Sequence, residues 1–398
     1  MPFDWITHEL HALDESGLRR RARVYEPLPR GRCRVDGIEL VNFASNDYLG
    51  LAGDLRVIAA ALDATARYGA GARASALVSG RTPLHAELER AIAEFEGTAD
   101  AVLFPTGFAA NVGAIGSLVE AGDVVFCDRL NHASLIDGCR LSGARLRVYS
   151  HRDLSQLSSA LDKAKEARRR LIVTDSLFSM DGDAAPLAEL FALAQHSRSM
   201  LLIDEAHATG VYGATGRGLC EEAGLDGPVW PPTPDSRPPT PPEHVRVGTL
   251  SKAIGSQGGF VAGTEALCDW IRNTSRPQMF STALTPGACG AALESLRLIR
   301  FEPERRERVR GLARQLRAEL QTAGWSVPGE VDCPIVPLIV GEPQEAVSLS
   351  HELLQQGFLI PAIRPPTVPR GTSRLRISLT ADHTDEDIRR CVEAFRRS

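Results

Sequence analysis

From about Gly50 to Gly263 the chain alternates short apolar runs with helix-length segments, and no other feature constrains its fold as much. The runs Ala101–Phe104, Val124–Cys127, Arg145–Tyr149, Leu171–Thr174, Met200–Ile203, Arg246–Thr249 and Gly259–Ala262 predict strands. Each is too short for a helix, and most are apolar throughout, as in strands covered on both faces. Leu84–Glu96, Ala109–Val119, Leu154–Ala167 and Leu187–His196 predict helices between them. Strand–helix alternation implies an α/β domain with a mainly parallel sheet, and such sheets bind ligands beyond the carboxyl ends of their strands.

The rest of the chain predicts smaller pieces. Residues 1–45 read as a helix over about Asp4–Arg23 followed by the extended segment Glu39–Ala44. Residues 46–290 form the expected large domain, and 291–398 a smaller α/β domain. In the latter, a charged helix is expected over Arg300–Gly324, strands over Ile335–Val340 and Arg374–Leu379, and helices over Glu345–Gln356 and Asp385–Arg397. Pro228–Pro242 holds eight prolines in fifteen residues, which excludes helix and central strand and predicts an exposed loop.

Composition narrows the functional classes. A net charge of −5 counts against a dedicated nucleic-acid binder. No apolar stretch approaches a membrane span, and the acidic start MPFDWITHELHALDE does not read as a secretory signal. Eight cysteines without a CxxC pair fit free thiols in a reducing, cytoplasmic setting and predict neither disulfides nor a metal site.

The 45 basic residues comprise 42 arginines and only three lysines, Lys163, Lys165 and Lys252. Arginine replaces lysine on most surfaces but does not lose its proton, so it cannot act as an amine nucleophile. Lys163 and Lys165 lie in LDKAKEARRR and read as an exposed charged helix. Lys252 instead follows a strand end, in GTLSKAIG, among small and hydroxyl residues. A lysine so confined becomes a usable amine.

Other polar features fall at the same sheet edge. Pro105-Thr106-Gly107-Phe108 leads from a strand into a helix, where free N–H groups can hold a phosphate, although a plain tight turn has the same pattern. Asp204 ends the apolar strand of LLIDEAH, either as a functional carboxylate or as a helix cap, and His207 follows three residues later. Ser176 and Ser179 supply hydroxyls after Leu171–Thr174. Together these meet the needs of pyridoxal 5′-phosphate: a lysine, a carboxylate for the ring nitrogen, hydroxyl donors and a phosphate cradle. Neither GxGxxG after the early strands nor GxxxxGK[ST] is present.

At these residues the chain resembles the α-oxoamine synthases, in SNDYLGL (45–51), PTGFAAN (105–111), DRLNHASL (128–135), FSMDGD (178–183), IDEAHATG (203–210) and GTLSKAIGSQGGF (248–260). The resemblance implies a fold type I pyridoxal-phosphate transferase that joins an amino acid to an acyl thioester with loss of CO₂. It implies a homodimer with its active site at the interface. By it, Lys252 is the Schiff-base lysine, Asp204 the partner of the ring nitrogen and His132 the imidazole stacked on the ring. Ser179 and His207 correspond to the ligands near the phenolic oxygen. Gly107, Phe108 and Thr249 correspond to the phosphate site, with Ser281 and Thr282 reaching it across the dimer. Arg376 corresponds to the residue for the amino-acid carboxylate, and Thr367 and Asn46 to substrate contacts. Arg20 corresponds to an arginine for the far end of the acyl chain, in a register that consecutive Arg19, Arg20 and Arg21 leave open.

The segment AIRPPTVPRGTSRLRISLTADH (362–383) is most similar to members that take L-alanine and a pimeloyl thioester, carried by CoA or by acyl carrier protein. Glycine-using members tend to have tyrosine where this chain has Pro365. Two departures stand out: GARASALVSG (71–80) has alanines in place of family glycines, and the proline run looks inserted. The alternatives are a glycine- or serine-using α-oxoamine synthase, and a non-catalytic subunit of the same fold, which would typically lack the lysine.

Overall fold

The computed structural model describes residues 2–225 and 244–397, so the proline run Pro228–Pro242 lies outside the described residues. Two compact units divide the chain, one of residues 51–179 and 184–306, the other of residues 1–50, 180–183 and 307–398.

The larger unit is built on one seven-stranded sheet. In spatial order its strands are Asp100–Phe104, Gly259–Gly263, Val245–Thr249, Met200–Asp204, Arg170–Asp175, Val124–Asp128 and Arg145–Tyr149. Gly259–Gly263 runs antiparallel to both neighbours, and the remaining pairs are parallel. All seven expected strands are present, because continuous apolar runs are stable only where helices cover both faces. Val125, Cys127, Val173, Leu202, Val247 and Val261 meet Ala110, Ala114 and Ile115 of the helix Gly107–Leu118 in one buried core.

Register places the carboxyl ends of the strands side by side. Asp175 pairs with Asp204, and Asp204 with Val247, two residues before Thr249. The helices that leave this edge are capped by their own sequence: Thr106 Oγ1 accepts from Ala109 N, and His132 caps Ala133–Leu141 by accepting from Ser134 N. Gly259 is required by a close approach, since a Cβ there would sit 2.5 Å from the Thr106 carbonyl oxygen and 2.6 Å from Gly107 N.

In the smaller unit, the strand Ile38–Asn42 pairs in parallel with Phe358–Leu359. A three-stranded sheet orders Ile335–Gly341, Ser373–Ser378 and Ala362–Ile363. Residues 1–45 are therefore not a separate piece; their strands are completed by the C-terminal region. The boundary expected near 290 falls after the helix Pro286–Phe301, which packs on Leu55–Tyr68 and Pro83–Glu96 of the larger unit.

The helix expected over Arg300–Gly324 runs over Glu304–Thr322 and starts after Pro303; Arg300 and Phe301 end the preceding helix, Pro286–Phe301, which Pro303 cannot continue for want of an N–H. The N-terminal helix is shorter than expected and stops at Glu15, before Gly17 with φ of 65°. All eight cysteines are free and buried. Among the described residues, no helix is long and apolar enough to cross a membrane, and no His/Cys/Asp/Glu group could hold a metal.

Candidate active site

At the edge where the strands of the larger unit end, Asp204 is buried, and its two oxygens hold separate donors. Oδ1 accepts from Ala206 N at 2.8 Å and Oδ2 from Asn111 Nδ2 at 2.6 Å. Two donors leave acceptor capacity on a carboxylate that can take about four. The neighbouring Glu205 is used differently, since its oxygens accept from Ser176 Oγ, Leu219 N and Cys220 N and so tie down local backbone.

His132 stands at the start of Ala133–Leu141. Its Nδ1 lies 2.7 Å from Ser134 Oγ, and its backbone N–H donates to Asp175 Oδ2 at 2.6 Å. Burial lowers the imidazole's pKa, while the negative charge of Asp204 opposes that shift and the positive charge of Lys252 reinforces it. Asp175 is pushed well above the ordinary carboxylate range, first by burial and then by the charge of Asp204 beside it. Lys252 is half-buried in a tight turn closed by Gly255 N donating to the Lys252 carbonyl at 2.8 Å. Its charge acts on both His132 and Asp175, which puts the only lysine outside LDKAKEARRR in this cluster.

The phosphate cradle is visible in the helix start. Thr106 takes Ala109 N–H on its hydroxyl and Ala110 N–H on its carbonyl, leaving Gly107 and Phe108 as the free N–H pair of the first turn. A Cβ on Gly107 would stand 3.1 Å from Thr249 Cβ and 3.2 Å from its Oγ1, so Thr249 backs the same cradle. Thr249 Oγ1 lies 2.8 Å from Ser251 Oγ.

Ser179 is half-buried and His207 buried, both in the larger unit. Ser281 and Thr282 follow the short helix Arg276–Met279, and their hydroxyls bond to no described residue. Thr282 instead bridges to Ser75, joining these two residues to the 71–80 segment.

The residues fit pyridoxal phosphate. A buried carboxylate with spare acceptor capacity, an N–H pair at a helix start backed by a threonine, and a lysine whose charge reaches Asp175 and His132 supply what the group requires.

The remaining predicted residues lie in the smaller unit. Arg376, buried on Ser373–Ser378, donates to Ser378 Oγ at 2.7 Å, Asn46 Oδ1 at 3.2 Å and Tyr48 Oη at 3.4 Å. All three of these acceptors are neutral groups. Burial pushes Tyr48 up to about 12 against the pull of Arg376. Thr367 is exposed and closes a turn with its N–H on the Arg364 carbonyl.

The three consecutive arginines have different partners. Arg19 and Arg21 both pair with Asp14, at 2.5 and 3.4 Å, whereas Arg20 Nη2 donates to the Pro365 carbonyl at 3.2 Å. Asp175, Asn111 and Ser134 were not among the predicted site residues. The signal for Asp175 was present: IVTD repeats the pattern of LLID, an acid closing an apolar strand.

Comparison with known proteins gives the family. The aminotransferase class I and II family model matches residues 38–395. An 8-amino-7-oxononanoate synthase of Anaeromyxobacter dehalogenans is 46% identical over 380 residues, covering 96% of this chain and 92% of that protein. One of Methylococcus capsulatus is 47% identical over 376 residues, covering 94% and 93%. Among solved structures, a serine palmitoyltransferase with a PLP internal aldimine superposes with a TM-score of 0.91 at 32% identity, covering 100% of this chain and 97% of that one. The chain therefore belongs to the class I and II aminotransferase family of pyridoxal-phosphate enzymes and, within it, to the group of the 8-amino-7-oxononanoate synthases.

Proposed function

We propose that the protein condenses L-alanine with a pimeloyl thioester, releasing the thiol and CO₂ to give 8-amino-7-oxononanoate, a step of biotin biosynthesis. The observation that carries this reading is the cluster of Lys252, Asp204 and His132 at one sheet edge, in a chain 46–47% identical to proteins of that name. Bound pyridoxal phosphate supplies an electron sink that makes the alanine α-proton removable. Lys252 would hold the group, Asp204 would bind its ring nitrogen, and the N–H pair of Gly107 and Phe108 with Thr249 would bind its phosphate.

The Lys252 amine takes the α-proton of alanine. His132 donates a hydrogen bond to the thioester carbonyl as charge builds on its oxygen. Arg376 takes the alanine carboxylate, with Asn46 orienting the guanidinium. Arg20 pairs with the distal carboxylate of the pimeloyl chain, and Thr367 contacts substrate. Ser179 and His207 hold the phenolic side of the cofactor. Ser281 and Thr282 act on the partner's phosphate site in a cytoplasmic homodimer.

The test is to supply alanine, glycine and serine separately with pimeloyl-CoA and identify the products by mass. Alanine should give 8-amino-7-oxononanoate at the highest rate. Faster condensation of glycine or serine would assign the chain to another amino-acid specificity.

A further inference from the structure

His132 is held from one side by an ordered set of hydrogen bonds whose directions can be assigned one at a time. As a carboxylate, Asp204 only accepts, so the Asn111 atom 2.6 Å from Oδ2 is the amide nitrogen. That nitrogen has a second hydrogen, and Ser134 Oγ stands 2.9 Å away to accept it. Ser134 Oγ therefore accepts a hydrogen bond from Asn111 and has its own hydrogen left to donate. It gives it to His132 Nδ1 at 2.7 Å. The backbone N–H of Ser134 points at the same Nδ1 from 3.3 Å. Two donors converging on Nδ1 require that it carry no proton.

We infer that Asn111 and Ser134 are positioning residues that link Asp204 to His132 and hold the imidazole as the neutral tautomer with its proton on Nε2. The ring then presents a donor, not a lone pair, to whatever lies on its open side. Of the charged groups facing the ring, Lys252 favours the neutral form, whereas Asp204 and Asp137 oppose it. Asp175 is bonded to the His132 backbone N–H, and Lys252 and Asp137 act on the ring through their charges. Burial also favours the neutral ring. Asn111 and Ser134 are themselves buried, so water does not compete for these bonds. The tautomer matters for the proposed reaction, on which this inference rests for its catalytic meaning: only an Nε2–H can polarise a thioester carbonyl. It also ties the two ends of the site together, since the carboxylate that binds the ring nitrogen is the one that orients Asn111.

The experiment reads the imidazole itself. The holoenzyme is labelled with ¹⁵N-histidine, and the His132 signals are identified by their absence in His132→Gln among the ten histidines. The wild type should show the proton on Nε2 and a hydrogen-bonded, unprotonated Nδ1. In Ser134→Ala the Nδ1 signal should move toward that of a free ring nitrogen, and in Asn111→Ala it should move the same way by less. Turnover with alanine should fall about two- to tenfold in Ser134→Ala, with the KM for alanine unchanged. A proton on Nδ1, or an imidazolium, in the wild type overturns the inference whatever the variants do. An Nδ1 signal unmoved by Ser134→Ala overturns the relay, and one unmoved by Asn111→Ala removes Asn111 from it. Since the tautomer is read without substrate, these outcomes are separable from failure of the proposed substrate assignment.

Discussion

At the scale of single residues, the site depends on which groups carry charge. Lys252→Ala should fold normally, since Lys252 sits half-exposed on a turn, but lose all covalent cofactor attachment and turnover. Borohydride reduction followed by peptide mapping checks this in the wild type, where the label must fall on Lys252 and not on Lys163 or Lys165. Asp175 offers a pH test. Its pKa is raised on folding, so its contribution to stability is full below the ordinary carboxylate range and is lost as pH rises through the raised value. Asp175→Asn removes that loss. The stability of wild type relative to Asp175→Asn should therefore decline as pH rises, as read by urea unfolding at acidic and alkaline pH. A constant difference would mean that folding does not shift the Asp175 pKa. Asp204 and Lys252 were legible in the sequence because each follows an apolar strand. Asn111 and Ser134 were not, because ordinary polar residues in helical segments acquire their roles only when two helices bring them together, here at 2.9 Å. The different partners of Arg19, Arg20 and Arg21 were equally hidden, since they depend on where Asp14 and Pro365 lie.

At the scale of elements, the helix Gly107–Leu118 links packing to cofactor binding. Its start is pressed against Gly259 on the antiparallel strand Gly259–Gly263. Gly259→Ala would place a methyl 2.6 Å from Gly107 N and force the helix start to shift. The expected cost is about 1–3 kcal/mol of stability, with weaker phosphate binding seen as a raised Kd for the cofactor. Unchanged cofactor affinity would show that the first turn can move without harm. Most strands of this sheet were readable because buried strands are apolar on both faces; the edge strand Arg145–Tyr149, with its exposed arginines, is the exception. The break at Pro303 was missed: the charged pattern runs on through it, and only the missing N–H marks the change. The expected helix over Leu154–Ala167 ends at Asp162 for no reason visible in its pattern.

At the scale of the whole molecule, the proposed homodimer rests on apolar side chains that the larger unit exposes. Leu77, Val78 and Phe280 are exposed, and the Ser75–Thr282 bridge draws their segments together beside Ser281 and Thr282. Exposed apolar side chains concentrated beside polar groups mark a protein interface. Sedimentation should find twice the chain mass, and Phe280→Arg should shift the species toward the monomer while turnover falls. An active monomer would remove Ser281 and Thr282 from the proposed phosphate site. The central claim, however, is the reaction. L-alanine labelled in its carboxyl carbon should be supplied with and without pimeloyl-CoA, and both labelled CO₂ and free thiol measured. The proposed condensation predicts label released one-for-one with thiol, and only when the thioester is present. Thiol released while the label stays in the product, or label released without thioester, would contradict it.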